Sequence, residues 1–196
     1  MAAVMPGPAP LGPPRLQRRP LAARPWLASL LVTSAWGLCL VVCSTTTPPP
    51  AWLGDIARAG HVLALVLSFG VITLVDWYGL MWVIGRRRRR DSTDLADTAQ
   101  PLIWAGIVLL LLTGAALHPD MHHPRSWLKL TAVLLIMLNG VQAARVSEHL
   151  RALRPTAPYL SAPSWVRRRV ALTVGVSQLA WWTAIVIGFV TSTGRR

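Results

Sequence analysis

The stretch "HVLALVLSFGVITLVDWYGLMWVIGRRRRR", residues 61 to 90, decides what kind of protein this is. From His61 to Gly85 it holds a single acidic residue, Asp76, and it ends in the arginine run Arg86 to Arg90. A helix on the surface of a soluble domain hides one stripe and shows water another. This segment is apolar nearly all round, as a helix surrounded by lipid must be. About 20 apolar residues span the ~30 Å of a bilayer's hydrocarbon, and a cluster of arginines halts such a segment at the water interface.

Blocks of the same kind recur along the chain. They run over about 26–43, 61–85, 101–118, 127–146 and 170–192, so the expected fold is all-α: an integral membrane bundle of five transmembrane helices around a four-helix core. Residues 1–25, "MAAVMPGPAPLGPPRLQRRPLAARP", are rich in Pro and Arg and read as a disordered tail, with residues 26–196 forming the bundle. The first block could be the apolar region of a signal peptide. No A-x-A site follows it, and "LVVC" is a poor lipoprotein box, so an uncleaved helix is the reading adopted.

The chain is 53% hydrophobic yet carries a formal charge of +13. Its basic residues flank the apolar blocks instead of lining an amphipathic face, which excludes nucleic acid as the expected partner. With the N-terminus inside, the cytoplasmic segments hold 15 of the 20 basic residues: Arg15, Arg18, Arg19, Arg24, Arg86 to Arg90, Arg145, Arg151, Arg154 and Arg167 to Arg169. The expected orientation is therefore N-in, C-out. Trp52 and Trp127 then fall near the outer interface, and Trp26, Trp82 and Trp165 near the inner one. Arg86 to Arg90 should also attract anionic lipids. The preference for Arg over Lys, with abundant Ala and Pro, suits a high-GC bacterial genome and hence a bacterial plasma membrane. Cys39 and Cys43 lie inside the first block and read as small hydrophobes.

Three polar features stand out from this apolar background. Asp76 lies ten positions before Arg86, roughly 15 Å from that helix end, where an ionised carboxylate costs about 2.5 to 3.5 kcal/mol or more. His61, Ser68, Asp76 and Gly79 fall on one stripe that should face the bundle interior, and Asn139 and Gln178 reach comparable depths on later helices. This intramembrane cluster reads either as a proton or cation relay or as a hydrogen-bonded fastening between helices. Without a second intramembrane carboxylate, a relay has no obvious next station.

The second feature is "ALHPDMHHPRSWLKL", residues 116 to 130, an external loop between two helices. His61, His118, Met121, His122 and His123 would share one membrane face, and imidazole with thioether is a donor set that suits copper. Alternatively, His61 and His118 could ligate a haem iron from neighbouring helices. The plain alternative is a turn, since Pro119 and Pro124 break helices and His and Asp are common beside them. Lys129, the chain's only lysine, is the third feature. It either snorkels to the interface or contacts an anionic cofactor group or lipid phosphate.

The order of these parts resembles a known pattern. A helix opens "GHVLALVLSFG", a basic loop follows, then a helix with "LLLLTG", a short external loop, and a helix starting "WLKL". Over residues 61–146 this is similar to small bacterial membrane bundles of the copper-resistance protein D family and the HemJ-type protoporphyrinogen oxidases. The resemblance implies a four-helix bundle handling haem, copper or electrons at the outer face, with His61 and Lys129 as its key residues. Where the HemJ type has a further helix-borne His after its Lys, this chain reads "LNGVQ", residues 138–142, a departure that weighs against porphyrin oxidation. Three functional classes follow: a redox or metal-handling membrane protein, a small transporter or proton-coupled component centred on Asp76, and an accessory subunit of a larger membrane complex.

Overall fold

Five helices form where the five apolar blocks lie, and four of them run well past the blocks. The computed structural model describes residues 25–45, 47 and 49–193, so the proposed disordered tail and the terminal Arg195 and Arg196 lie outside the described residues. The helices are α1 (Pro25–Thr45), α2 (Ala51–Val83), α3 (Arg89–Ala116), α4 (Pro124–Arg151) and α5 (Ser164–Thr193), with one 3-10 turn, Tyr159–Ser161, before α5. All five are long and apolar enough to cross a membrane. This is an all-α bundle and a polytopic membrane protein.

The helix starts correct the sequence reading in a consistent direction. Hydropathy marks where lipid contact begins, whereas helix geometry continues into polar residues as long as nothing breaks it. α2 begins at Ala51 behind Pro50, so His61 sits ten residues inside the helix and does not open it. α3 begins at Arg89 and takes in the polar segment "RRDSTDLADTAQ". There the Asp91 carboxylate accepts the Arg88 backbone N–H at 3.3 Å, capping the first turn. Pro101 lies within α3 and leaves the Asp97 carbonyl without its usual helical donor.

The outer surface of the bundle is strongly apolar. Leu179 and Phe189 are each 72% exposed, and Leu63, Leu112 and Leu172 are also open. Water would make such a surface untenable, whereas lipid tails cover it at no cost. Lipid also removes most of the hydrophobic drive for helices to meet, so close contact must come from packing. Small residues supply it: α2 and α3 form one antiparallel hairpin, α4 and α5 the other, and α1 lies across α3 and α4. The tightest approach is where Ala64 and Ser68, both fully buried, meet Gly106. Gly60 faces Thr113 and Gly114 faces His61 along the same seam.

Between α2 and α5 the gap is wider and larger groups bridge it. Phe69 packs edge-on against Trp182 and tilted against Trp181, at ring separations of 5.4 and 5.7 Å. α1 is pinned by the Trp36 indole N–H, which donates to the Leu130 carbonyl at 2.9 Å. The thiols of Cys39 and Cys43 face the carbonyls of Leu111 and Ala115 on α3, so both cysteines pack inward as the sequence suggested.

At the arginine-rich end, the α2–α3 turn is tied to the α4–α5 connection. The Trp82 indole is buried, donates to the Ala157 carbonyl at 3.0 Å and packs edge-on against Tyr159. Ser92 Oγ donates to the Tyr78 carbonyl at 2.8 Å. Arg89 is buried with its Nε donating to the Arg154 carbonyl at 3.1 Å. The five-arginine run is thus not one uniform lipid-facing patch. Arg86, Arg87, Arg88 and Arg90 are exposed, while Arg89 points inside.

Candidate functional site

Asp76 projects from α2 towards α5, and its Oδ2 accepts a hydrogen bond of 2.6 Å from the Gln178 side-chain amide. Asp76 and Gln178 are 102 positions apart in the chain, and both are half-buried. Asn139, the third member of the expected cluster, takes a different partner. Its amide donates to the Thr173 carbonyl on α5 at 2.9 Å. Asp76, Asn139 and Thr173 line the same cavity, and Gln178 joins them through its bond to Asp76.

That cavity holds about 110 Å³ and lies among α2, α3, α4 and α5, enough for several water molecules. Its polar lining comprises Asp76, Gln100, Asn139, Ser147, Thr173 and Ser177, set among Ile72, Ile103, Ile107, Ile136 and Trp104. Sequence reasoning missed Gln100, Ser147, Thr173 and Ser177. A signal for three of them was present: Asn139, Ala143 and Ser147 repeat every four residues, as do Thr173 and Ser177, so each set shares one helix face. Gln100 falls just outside the apolar block 101–118, and the polar start of α3 masks its helical register.

The longer α3 also changes the inventory of acids. Asp97, three residues before Gln100, pairs with Arg151 of α4 at 2.7 Å. Arg151 lies four residues beyond Ser147, so this interhelical ion pair stands one turn from the cavity on its arginine-rich side. The pair belongs to the polar start of α3, outside the apolar block 101–118.

Among the residues proposed as metal ligands, His61 and His123 have side-chain partners, and the others take part in the turn through their backbone. His118 follows α3 with φ of 42°, the left-handed position that ends many helices. Asp120 Oδ1 accepts the His122 backbone N–H at 2.9 Å, forming an Asx turn. His123 caps α4, its Nδ1 accepting the Arg125 backbone N–H at 3.2 Å. The Met121 carbonyl accepts the Trp127 indole N–H at 2.9 Å. His61 bonds Thr113 Oγ1 at 2.9 Å through its Nδ1. Among the described residues, no three His, Cys, Asp or Glu side chains gather into a group able to hold a metal ion. The loop "HPDMHH" has the geometry of a capped turn.

Lys129 is close enough for its charge to act on the His61 imidazole. Both residues border glycines: His61 lies beside Gly114 of α3, and a side-chain carbon at Gly188 of α5 would stand 3.7 Å from the Lys129 ammonium. The chain matches no family model, no curated protein and no solved structure.

Proposed function

We propose that this polytopic membrane protein is a small transporter or proton-coupled membrane component whose working group is Asp76. The observation that carries the reading is a carboxylate, held by Gln178, that opens on a cavity among four helices in an otherwise apolar bundle. Ionisable groups at such depth are costly, and an Asp facing a water-sized space is placed to take up and release a cation or proton. A mere fastening needs no cavity, and Gln178 would serve it alone. Exposed Arg86, Arg87, Arg88 and Arg90 are assigned to anionic headgroups on the cytoplasmic face, with the N-terminus inside.

The test is reconstitution of the whole chain into liposomes under an imposed pH or cation gradient, read by an internal dye. Wild-type protein should dissipate the gradient, and Asp76→Asn should not while inserting at the same level. Equal dissipation by both would refute the assignment.

A second reading is supported by the nearness of His61 and Lys129. These are the two residues singled out by the resemblance to the copper-resistance protein D and HemJ-type bundles, and they would make the outer end a site for haem, copper or electrons. Its test is elemental mass spectrometry of protein purified in mild detergent. Stoichiometric iron or copper lost in His61→Ala supports it, and metal-free folded protein removes it.

A further inference from the structure

We infer that the cavity beside Asp76 is a binding site for one alkali-metal cation of the sodium class, held by the Asp76 carboxylate, nearby side-chain oxygens and retained water. The inference rests on the reading of Asp76 as the working group and names what that group binds.

The lining decides the ligand class. Asp76, Gln100, Asn139, Ser147, Thr173 and Ser177 all offer oxygen, and no Lys, Arg, His, Cys or Met lines the space. Oxygen is the ligand of hard cations, whereas copper and zinc favour nitrogen and sulfur. Charge then decides the valence. One carboxylate opens on the cavity, so a monovalent ion leaves a neutral pair, while a divalent ion would leave an uncompensated positive charge in a low-dielectric site.

The hydrogen bonds leave oxygens available. Gln178 occupies Asp76 Oδ2 at 2.6 Å, which orients the carboxylate and leaves Oδ1 open. Asn139 has its amide nitrogen fixed on the Thr173 carbonyl at 2.9 Å, so its Oδ1 is the end without a hydrogen bond among the described residues. Ser177 is buried and lines the cavity. The volume of about 110 Å³ admits an ion with one or two retained waters and excludes a bulky organic substrate. On one side the Trp104 indole closes the wall against Gly140, where an added side-chain carbon would stand 3.2 Å from the ring. A larger residue there would push the ring back by a few tenths of an ångström.

The experiment uses full-length protein in detergent, in chloride salts of sodium, potassium, lithium or choline at fixed ionic strength. It reads thermal unfolding together with binding of radioactive sodium. Expected is a saturable rise in melting temperature with sodium or potassium over choline, and saturable sodium binding. Both should vanish in Asp76→Asn. Ser177→Ala should weaken the apparent affinity about tenfold, as loss of one good ligand does, and the exposed control Asp55→Asn should leave it unchanged. Identical melting in all four salts, with no sodium bound by wild type, overturns the inference. If liposomes then still show Asp76-dependent proton movement, the cation assignment alone has failed and the carboxylate carries protons. If Asp76→Asn is silent in both assays, the reading of Asp76 falls with it.

Discussion

Gly106→Ala tests the packing that builds the bundle. A methyl group added there would lie 1.9 Å from Ser68 Oγ, 3.1 Å from Ser68 Cβ and 3.3 Å from the Ala64 carbonyl oxygen. Ordinary contact begins near 3.4 Å, so α2 and α3 would have to part by roughly 1.5 Å at this point or Ser68 would have to turn. Turning Ser68 removes only the hydroxyl clash, because its Cβ stays where it is. Overpacking of this kind costs about 1–3 kcal/mol, against which alanine gains up to about 1 kcal/mol over glycine in a helix. The expected net loss is about 0–2 kcal/mol, a fall in melting temperature of up to roughly 8 °C for a chain of this size. Relative to an alanine placed where nothing is crowded, the loss is about 1–3 kcal/mol. Tryptophan fluorescence during heating in detergent reads it directly. Gly70→Ala is the control, since nothing lies within 4 Å of that position, and it should melt at or above wild type. Adding Ser68→Gly to Gly106→Ala should recover most of the loss, because both serine contacts then disappear. If Gly106→Ala and Gly70→Ala melt together, α2 and α3 are not in the contact described and the reasoning fails.

Gln178→Leu should cost about 1–2 kcal/mol by leaving the Asp76 carboxyl group without its donor, and adding Asp76→Leu should recover part of it, as a double-mutant cycle by thermal unfolding would measure. His118→Gly should stabilise the protein by about 1 kcal/mol, because glycine adopts the left-handed backbone of that position without strain. A destabilised His118→Gly variant would show that the imidazole contributes more than the helix stop. Arg89 is buried, with its Nη1 lacking a hydrogen-bond partner among the described residues. Arg89→Met should therefore lie within about 1 kcal/mol of wild type, since it keeps the volume and removes a buried charge, whereas Arg89→Ala should cost about 2 kcal/mol or more through the space it opens. Denaturation of the two variants side by side separates charge from packing.

Much of this architecture is legible from one dimension. Five apolar blocks interrupted by arginines and prolines predict five spans, and the structure has five. The inward stripe of α2 was also readable, because a helical wheel needs only spacing: Ser68 is buried, and His61, Asp76 and Gly79 are half-buried. The starts of α2 and α3 were not, since hydropathy falls before the helix does, and nothing in "DIARAG" or "DSTDLADTAQ" breaks one. Small residues every four positions, Gly60, Ala64 and Ser68, held the clue to the closest helix contact.

The sequence by itself determined that this chain lives in a membrane, because the cost of burying lipid-sized apolar blocks in water is a property of composition and length. It also determined which residues were expensive enough to need partners: Asp76, Asn139, Gln178 and Lys129. Which partners they took was decided only by tertiary structure. Asp76 and Gln178 meet across 102 residues, Asn139 turns to a backbone carbonyl, and the histidines of "HPDMHH" sit at a helix stop, in an Asx turn and at a cap. The reason is that hydrogen bonds act over about 3 Å. Helix rotations and separations set by glycine and serine contacts place groups to that accuracy, and no spacing in a linear chain contains them.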